Sequence, residues 1–196
     1  MYMTEHFLVR LPKRFKDTIT VGGKELYFDN RFDEFNSRIT EGEVVAIPKK
    51  YDTSVSIGDT LYFHHHVVVD KGQKFQYDDD AKDVYIVYYN PEDIRNSQAI
   101  AYKHDGVVKE LGWILLEPIE EDKETVLPSG LILVEKEETP KKEGRVAFDS
   151  LFFQENDVNI GDVVGFLKNR DYEIEIDGKK FWRMRHDDIV YVRKEA

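Results

Sequence analysis

Apolar and polar residues alternate in short runs along the whole chain, and glycine-containing turns separate these runs. Residues 44–47, 85–89 and 172–176 are clear examples. A period of two predicts β-strands, because successive side chains of a strand point to opposite faces of the sheet. The dipeptides Gly22-Gly23 and Asp177-Gly178 predict tight hairpin turns. We find no run with the period of an amphipathic helix of ordinary length, so the pattern predicts an all-β fold.

Four sequence elements occur twice, in the same order and at similar spacing. In the first half they are FLVRLP, EGEVVAIP, VSIGDTLYF and PEDI, and in the second half they are WILLEP, EGRVAFDS, VNIGDVVGF and HDDI. The offset is roughly a hundred residues, which is the usual size of a small domain. We therefore predict two tandem copies of one small barrel or sandwich, covering residues 1–106 and 107–196.

Composition and charge narrow the classes of function. The chain has 196 residues, a formal net charge of −11 and no cysteine. This charge argues against a nucleic-acid backbone or an anionic membrane surface as the main partner. Without cysteine there are no disulfides or thiolate ligands, and no apolar run is long enough to cross a bilayer. No phosphate-binding loop or catalytic triad has supporting context, so the sequence predicts neither an enzyme nor a bound cofactor.

One apolar tripeptide lies in unusually polar surroundings. In the segment LPSGLILVEKEE, Leu131, Ile132 and Leu133 follow the turn residues Ser129 and Gly130 and precede a run of charged residues. Composition alone favours a short buried strand. The polar flanks leave the tripeptide little to pack against, which instead favours an exposed segment that becomes buried on a partner.

The second copy resembles the co-chaperonin (GroES) family along its length. WILLEPIEEDKET is similar to the first strand of that family, PSGLILVEKEETPKKEGRV to its mobile loop, VNIGDVVGF to its Val-x-x-Gly-Asp-x-Val strand, and FWRMRHDDIVYVRKEA to its C-terminal strands. The resemblance implies two tandem small β-barrels of the GroES-like type. It also implies that Leu131, Ile132 and Leu133 dock on a chaperonin ring, and that Ser129 and Gly130 give the loop its flexibility.

We call residues 129–133 of the second copy the anchor. The first copy departs from the family pattern at the corresponding positions. Lys24, Glu25 and Leu26 stand where three aliphatic residues are expected, and TITVGGKELYF indicates a hairpin. We therefore expect the first copy to have lost chaperonin binding. Residues 48–54 and 149–157 are also too short for the roof hairpin of the family, a feature that the chain shares with phage-encoded co-chaperonins.

The resemblance therefore implies a non-enzymatic co-chaperonin in the cytoplasm of a bacterial cell or a phage-infected host. It would cap a GroEL-type chaperonin ring, enclose an unfolded client protein and act as a homo-oligomer, with a ring as the expected arrangement. The start of the chain resembles neither a signal peptide nor a transit peptide. The alternative is a structural or virion assembly protein that keeps the barrel without binding a chaperonin.

Three consecutive histidines follow a strand-like run. If the strand continues through them, His64 and His66 share one face and His65 points to the other. Two imidazoles on one face are able to ligate Zn²⁺ or Ni²⁺, but a closed site needs further ligands that the sequence does not identify. A polar strand face or a proton-sensitive contact is favoured over a metal site, and no metal is expected.

Overall fold

The computed structural model describes residues 3–21, 24–27, 29, 37–68, 83–119, 124–126, 132–134, 142–167 and 172–194. The chain divides into two compact units, Met1–Trp113 and Ile114–Ala196. The division lies beyond the predicted boundary at residue 106. The reason is that Val107–Glu110 forms a strand that pairs with Ala99–His104 of the first unit.

The described part of the first unit contains eight strands. These are β1 Phe7–Arg10, β2 Thr18–Val21, β3 Lys24–Tyr27, β4 Glu41–Ala46, β5 Thr60–Phe63, β6 Val84–Val87, β7 Ala99–His104 and β8 Val107–Glu110. Six of them form an antiparallel sheet in the order β6-β1-β4-β5-β7-β8. Strands β2 and β3 form a separate two-stranded ribbon, which is inserted in the chain between β1 and β4.

The described part of the second unit contains eight strands and one short helix. These are β9 Ile114–Pro118, β10 Glu124–Val126, β11 Ile132–Val134, β12 Glu143–Val146, α1 Leu151–Glu155, β13 Val163–Phe166, β14 Tyr172–Ile176, β15 Lys179–Met184 and β16 Ile189–Arg193. Its antiparallel sheet has the order β14-β15-β9-β12-β13-β16, and β10 and β11 form a separate ribbon. Across the described residues of the chain, no helix has the length and apolar character that crossing a membrane requires.

The two sheets share one strand order. The run β6-β1-β4-β5-β7 in the first unit corresponds to β15-β9-β12-β13-β16 in the second. In both units a ribbon is inserted in the chain between the first strand and the next strand of the sheet. A 3-10 turn, Ile94–Asn96 or His186–Asp188, precedes the strand at the end of this run. The sheets differ in their sixth strand, because β8 extends the first beyond β7 whereas β14 extends the second beyond β15. The prediction of a mostly β fold is confirmed, and the sequence repeat corresponds to a repeat in topology.

Each unit has its own apolar core. Phe7, Leu61 and Tyr85 are at most 1% exposed in the first unit. In the second unit, Leu116 on β9 packs with Phe153 on α1, and both are fully buried. Burying one large aliphatic or aromatic side chain contributes roughly 1.5–3 kcal/mol, so these cores supply the main favourable free energy of folding.

Two Asp-Gly dipeptides form hairpin turns, and the sequence predicts the first of them. Asp177 and Gly178 connect β14 to β15 with φ angles of 51° and 77°, and Asp105 and Gly106 connect β7 to β8 with angles of 48° and 80°. Positive φ at both central residues defines the type I′ turn, whose twist matches that of the paired strands.

The repeated Glu-Gly pair lets two neighbouring strands approach closely. A Cβ atom at Gly144 on β12 would lie 2.7 Å from the Cβ of Leu116 on β9. A Cβ atom at Gly42 on β4 would lie 3.0 Å from the backbone oxygen of Arg10 on β1. A side chain at either position would push the two strands apart, which explains why both copies have glycine there.

The repeated Ile-Gly-Asp motif forms the same turn in both units. Gly58 and Gly161 have φ angles of 96° and 97°, in the region that favours glycine. The backbone N–H of Gly58 donates to the carbonyl of Val44 on β4, and that of Gly161 donates to Val146 on β12, both at 2.9 Å. The turn is thereby fixed to the strand that precedes it in the sheet.

The aspartate of this motif is buried and closes the turn with its side chain. Asp59 accepts a hydrogen bond from the backbone N–H of Ser56 at 2.7 Å. Asp162 accepts the equivalent bond from Asn159 at 2.9 Å. A buried carboxylate is tolerated in such a turn because the backbone donor replaces part of its lost hydration.

A basic residue near the end of β7 or β16 lies against each of these aspartates. Nδ1 of His104 lies 2.7 Å from Oδ1 of Asp59, and Nζ of Lys194 lies 3.3 Å from Oδ2 of Asp162. The hydrogen bond to Asp59 and the charge of this carboxylate raise the pKa of His104, and the charge of Asp105 adds to the effect. Each unit thus places a basic side chain beside its buried aspartate, a histidine in the first unit and a lysine in the second.

The prediction that a strand continues through the three histidines is wrong. β5 ends at Phe63, after a register shift between Tyr62 and Phe63. His65–Val68 forms a 3-10 turn, in which the N–H of Val67 donates to the carbonyl of His64 at 3.0 Å. The tighter turn brings the imidazoles of residues 64, 65 and 66 together instead of alternating them across a sheet.

The His104–Asp59 pair should make the stability of the chain fall with rising pH. The raised folded-state pKa means that the contribution is complete below the unfolded-state pKa of about 6.5 and is lost as the pH rises through the folded-state value. The His104→Lys variant should lose this decline, because an ammonium stays protonated through the same range. Urea unfolding of the full chain between about pH 6 and about pH 9 measures the difference.

The matched control is His186→Lys, which makes the same chemical change at an exposed histidine of the second unit. This control should keep the decline seen in the wild type. A decline of unchanged size in the His104→Lys variant would contradict the assigned role of the pair.

Candidate partner-binding site

Part of the predicted anchor lies on a ribbon separate from the six-stranded sheet. In this ribbon Thr125 pairs with Leu133, and Val126 pairs with Ile132, in antiparallel register. Among the described residues, neither ribbon strand joins the larger sheet of the second unit. The backbone of Ile132 and Leu133 therefore belongs to a two-stranded extension.

The other three predicted residues, Ser129, Gly130 and Leu131, lie outside the described residues. They belong to the segment that connects β10 to β11. The structure thus brings two of the five predicted residues into one strand. The binding role of all five stays a prediction.

The ribbon leaves and re-enters the core sheet at neighbouring strands. β9 ends at Pro118, which pairs with Gly144 near the start of β12, and Glu117 pairs with Arg145. The close approach at Gly144 therefore fixes both ends of the inserted segment. A segment tethered at both ends has less conformational entropy to lose on binding than a free tail of the same length.

The first unit carries a ribbon at the same place in its topology. β2 and β3 pair in register, which confirms the predicted hairpin, although Gly22 and Gly23 at its turn lie outside the described residues. All four residues of β3 are exposed, including Leu26 at 48% and Tyr27 at 84%. The chemistry of this ribbon differs from that of the second one, because a lysine and a glutamate precede Leu26.

The edge strand β16 is exposed where its counterpart in the first unit is buried. Val190, Tyr191 and Val192 are 61%, 48% and 40% exposed. Their counterparts on β7, each at most 3% exposed, are Ile100, Ala101 and Tyr102. Successive side chains of a strand point to opposite faces, so exposure of three in a row leaves both faces of β16 uncovered.

Strand β8 contributes to this difference between the units. It pairs with β7, from Ala101 opposite Glu110 to His104 opposite Val107. No described strand takes the equivalent position on β16. An edge strand with large apolar side chains is a template for pairing with another chain. We call β16, with its exposed Val190, Tyr191 and Val192, the open edge.

One cross-strand pair next to this edge contains a large and a small residue in both sheets, but the two residues lie on opposite strands. In the first unit Tyr62 on β5 pairs with Ala101 on β7, whereas in the second unit Gly165 on β13 pairs with Tyr191 on β16. A Cβ atom at Gly165 would lie 2.1 Å from the ring of Tyr191. Each sheet thus has one aromatic residue in this cross-strand pair, supplied by opposite strands.

A buried carboxylate holds Tyr191 in place. The hydroxyl of Tyr191 donates to Oε1 of Glu143 at 2.5 Å, and the guanidinium of Arg193 donates to Oε2 at 3.2 Å. The hydrogen bond to Glu143 raises the pKa of the Tyr191 hydroxyl, and its partial burial acts in the same direction. Because Glu143 begins β12, this cluster links the base of the ribbon to the open edge.

Sequence reasoning missed the open edge and the cluster at Glu143. The available signal was the Asp105-Gly106 turn followed by Val107–Glu110, which together indicate a hairpin on β7. Placing the domain boundary inside that turn concealed the extra strand. Glu143 gave no signal, because its partners are distant in the sequence.

Comparison of the sequence with models of known protein families gives no match, and comparison with curated proteins gives none either.

The Gly165→Ala variant should be less stable than the wild type by roughly 1–3 kcal/mol, the usual effect of overpacking. The added methyl group displaces the Tyr191 ring and weakens its bond to Glu143. In the Tyr191→Ala background the same glycine change should have a much smaller effect. Urea unfolding of the wild type, the two single variants and the double variant gives the coupling free energy. Equal effects in both backgrounds would show that the ring does not pack on the glycine.

Proposed function

We propose that the chain is a non-enzymatic co-chaperonin that binds a GroEL-type chaperonin ring through Leu131, Ile132 and Leu133. The observation that carries this proposal is the ribbon, which holds the backbone of Ile132 and Leu133 apart from the core sheet in the described part of the second unit. A ribbon of this kind is able to dock on a partner without disturbing the sheet that supports it.

The energetics favour many weak contacts over one strong contact. Each large aliphatic side chain that becomes buried contributes roughly 2 kcal/mol, whereas ordering each residue of a flexible segment costs about 1–2 kcal/mol. Pairing of Ile132–Val134 with Glu124–Val126 before docking reduces this ordering cost. A single ribbon should therefore bind weakly, and several ribbons on one assembly should bind tightly through avidity.

The open edge supports assembly of several copies. The counterparts of its exposed residues are buried in the first unit, where β8 pairs along the same edge of the sheet. A strand from a second copy would cover β16 as β8 covers β7. Such self-association would supply the multivalency that weak ribbon contacts require.

The two ribbons support a division of roles between the units. Only the second ribbon carries the aliphatic tripeptide, while the first has Lys24 and Glu25 before Leu26. In this proposal each chain contributes one anchor, and the assembled ring encloses an unfolded client protein. A structural or virion assembly protein would share the open edge but would need no apolar ribbon, so variants of the ribbon distinguish the two functions.

The Ile132→Asp variant should lose capture by a bacterial chaperonin ring while the fold stays intact. Losing about 2 kcal/mol of burial weakens each ribbon by roughly 30-fold, and avidity multiplies this loss across the assembly. Pull-down with the purified chaperonin, with and without ATP, measures capture, and circular dichroism checks the fold. The matched control is Leu26→Asp on the first ribbon, which should leave capture unchanged. Undiminished capture of Ile132→Asp would refute the proposed anchor.

The Val190→Lys/Val192→Lys variant should reduce the mass of the assembly, because lysine on an edge strand opposes pairing with another chain. Light scattering coupled to gel filtration measures this mass. The matched control is Ile57→Lys/Ile160→Lys, which changes two apolar turn residues that are 60% and 63% exposed. An unchanged mass in the Val190→Lys/Val192→Lys variant, or a monomeric wild type at every concentration, would remove the assembly role of the open edge.

A further inference from the structure

Three imidazoles meet where β5 ends. One ring nitrogen from each of His64, His65 and His66 lies within 4.8 Å of the other two. The ring centroids are 4.2 to 4.4 Å apart. This is the arrangement that the sequence did not predict, and it places three potential metal ligands on one short turn.

The backbone that carries these rings is held firmly by the first unit. Phe63 before the histidines and Val67 and Val68 after them are at most 3% exposed and belong to the apolar core. The N–H of His64 donates to the carbonyl of Gln98 at 2.9 Å, which ties the turn to the chain that leads into β7. Ligands on such an anchored turn lose little entropy when they bind an ion.

The three side chains form a gradient of burial. His65 is 5% exposed, His64 is half-buried and His66 is exposed. An ion would therefore reach the cluster from the side of His66 and find a fixed ligand at His65. The negative net charge of the chain, −11, adds a general attraction for cations.

We propose that His64, His65 and His66 bind one divalent transition-metal ion, with Zn²⁺ as the favoured ion. Imidazole nitrogen suits Zn²⁺, Ni²⁺ and Cu²⁺, whereas Mg²⁺ and Ca²⁺ prefer oxygen ligands. Tetrahedral zinc with bonds of about 2.1 Å needs nitrogens roughly 3.4 Å apart, so the rings must draw closer when the ion binds. Three protein ligands leave the fourth position of the ion to water.

Binding exchanges one hydrogen bond for a metal bond. Nδ1 of His64 accepts the backbone N–H of His66 at 3.2 Å, so the proton of a neutral His64 lies on Nε2. Ligation through Nε2 moves this proton to Nδ1, and ligation through Nδ1 replaces the contact directly. Zinc competes with protons for all three rings, so its affinity should fall as the pH is lowered.

The test is isothermal titration calorimetry, in which ZnCl₂ is added to the full chain after a chelator has removed bound metal. The pH is near 7.5, about one unit above the ordinary pKa of histidine. The wild type should bind one Zn²⁺ per chain. The His64→Ala/His66→Ala variant should bind it at least about tenfold more weakly, because two of the three ligands are removed.

The matched control is His6→Ala/His186→Ala, which also removes two histidines but leaves the cluster intact, and it should keep wild-type binding. If the double variant of the cluster fails to fold by circular dichroism, His66→Ala alone replaces it, since His66 is exposed. A wild type that binds no zinc would overturn the proposal. Cluster variants that bind zinc with wild-type affinity would also overturn it and leave adventitious surface binding only.

Discussion

The close contact between β9 and β12 is the constraint on which the rest of the second unit depends. Gly144 permits it, because any side chain there would meet Leu116 on the facing strand. The ribbon leaves the sheet from one of these strands and returns on the other. Glu143, directly before the glycine, holds Tyr191 of the open edge. One small residue thus sets the position of two surfaces that we assign to partners.

Comparison of the two units shows which features the fold requires and which have diverged. The buried aspartate turn is the same in both, although histidine serves as its cation in one unit and lysine in the other. The Tyr62–Ala101 pair becomes Gly165–Tyr191, so the aromatic ring is kept while its strand changes. The ribbons and sheet edges differ most. Backbone requirements are conserved between the units, and the exposed chemistry is not.

The sequence predicts local features well and distant contacts poorly. Alternation identifies strands such as Tyr172–Ile176, and the Asp177-Gly178 turn identifies their hairpin, because both depend on neighbouring residues. The repeat is readable because four motifs keep their order. The convergence of His64, His65 and His66 is not readable, since a 3-10 turn and a strand both accommodate Phe63 followed by polar rings.

The partners of buried charges also lie beyond what sequence patterns contain. Asp59 and His104 are distant in the chain and meet only after β5 pairs with β7. Glu143 reaches Tyr191 and Arg193 in the same way, across paired strands. For the predicted anchor, the ribbon places the backbone of Ile132 and Leu133 outside the core sheet in the described part of the chain, and the binding role stays a prediction. Nothing local to those residues specifies a receptor.

The presence of β8 on the first sheet has a consequence for symmetry. Because β8 occupies the outer side of β7, that side is closed to other chains, and β16 has the corresponding side without a described neighbour. If β16 meets β16 of another copy, the contact is self-complementary and is complete with two chains. A closed ring of more copies instead requires β16 to meet a different strand, in a head-to-tail contact whose rotation closes. The stoichiometry of any such complex is therefore decided by the identity of the strand that faces β16.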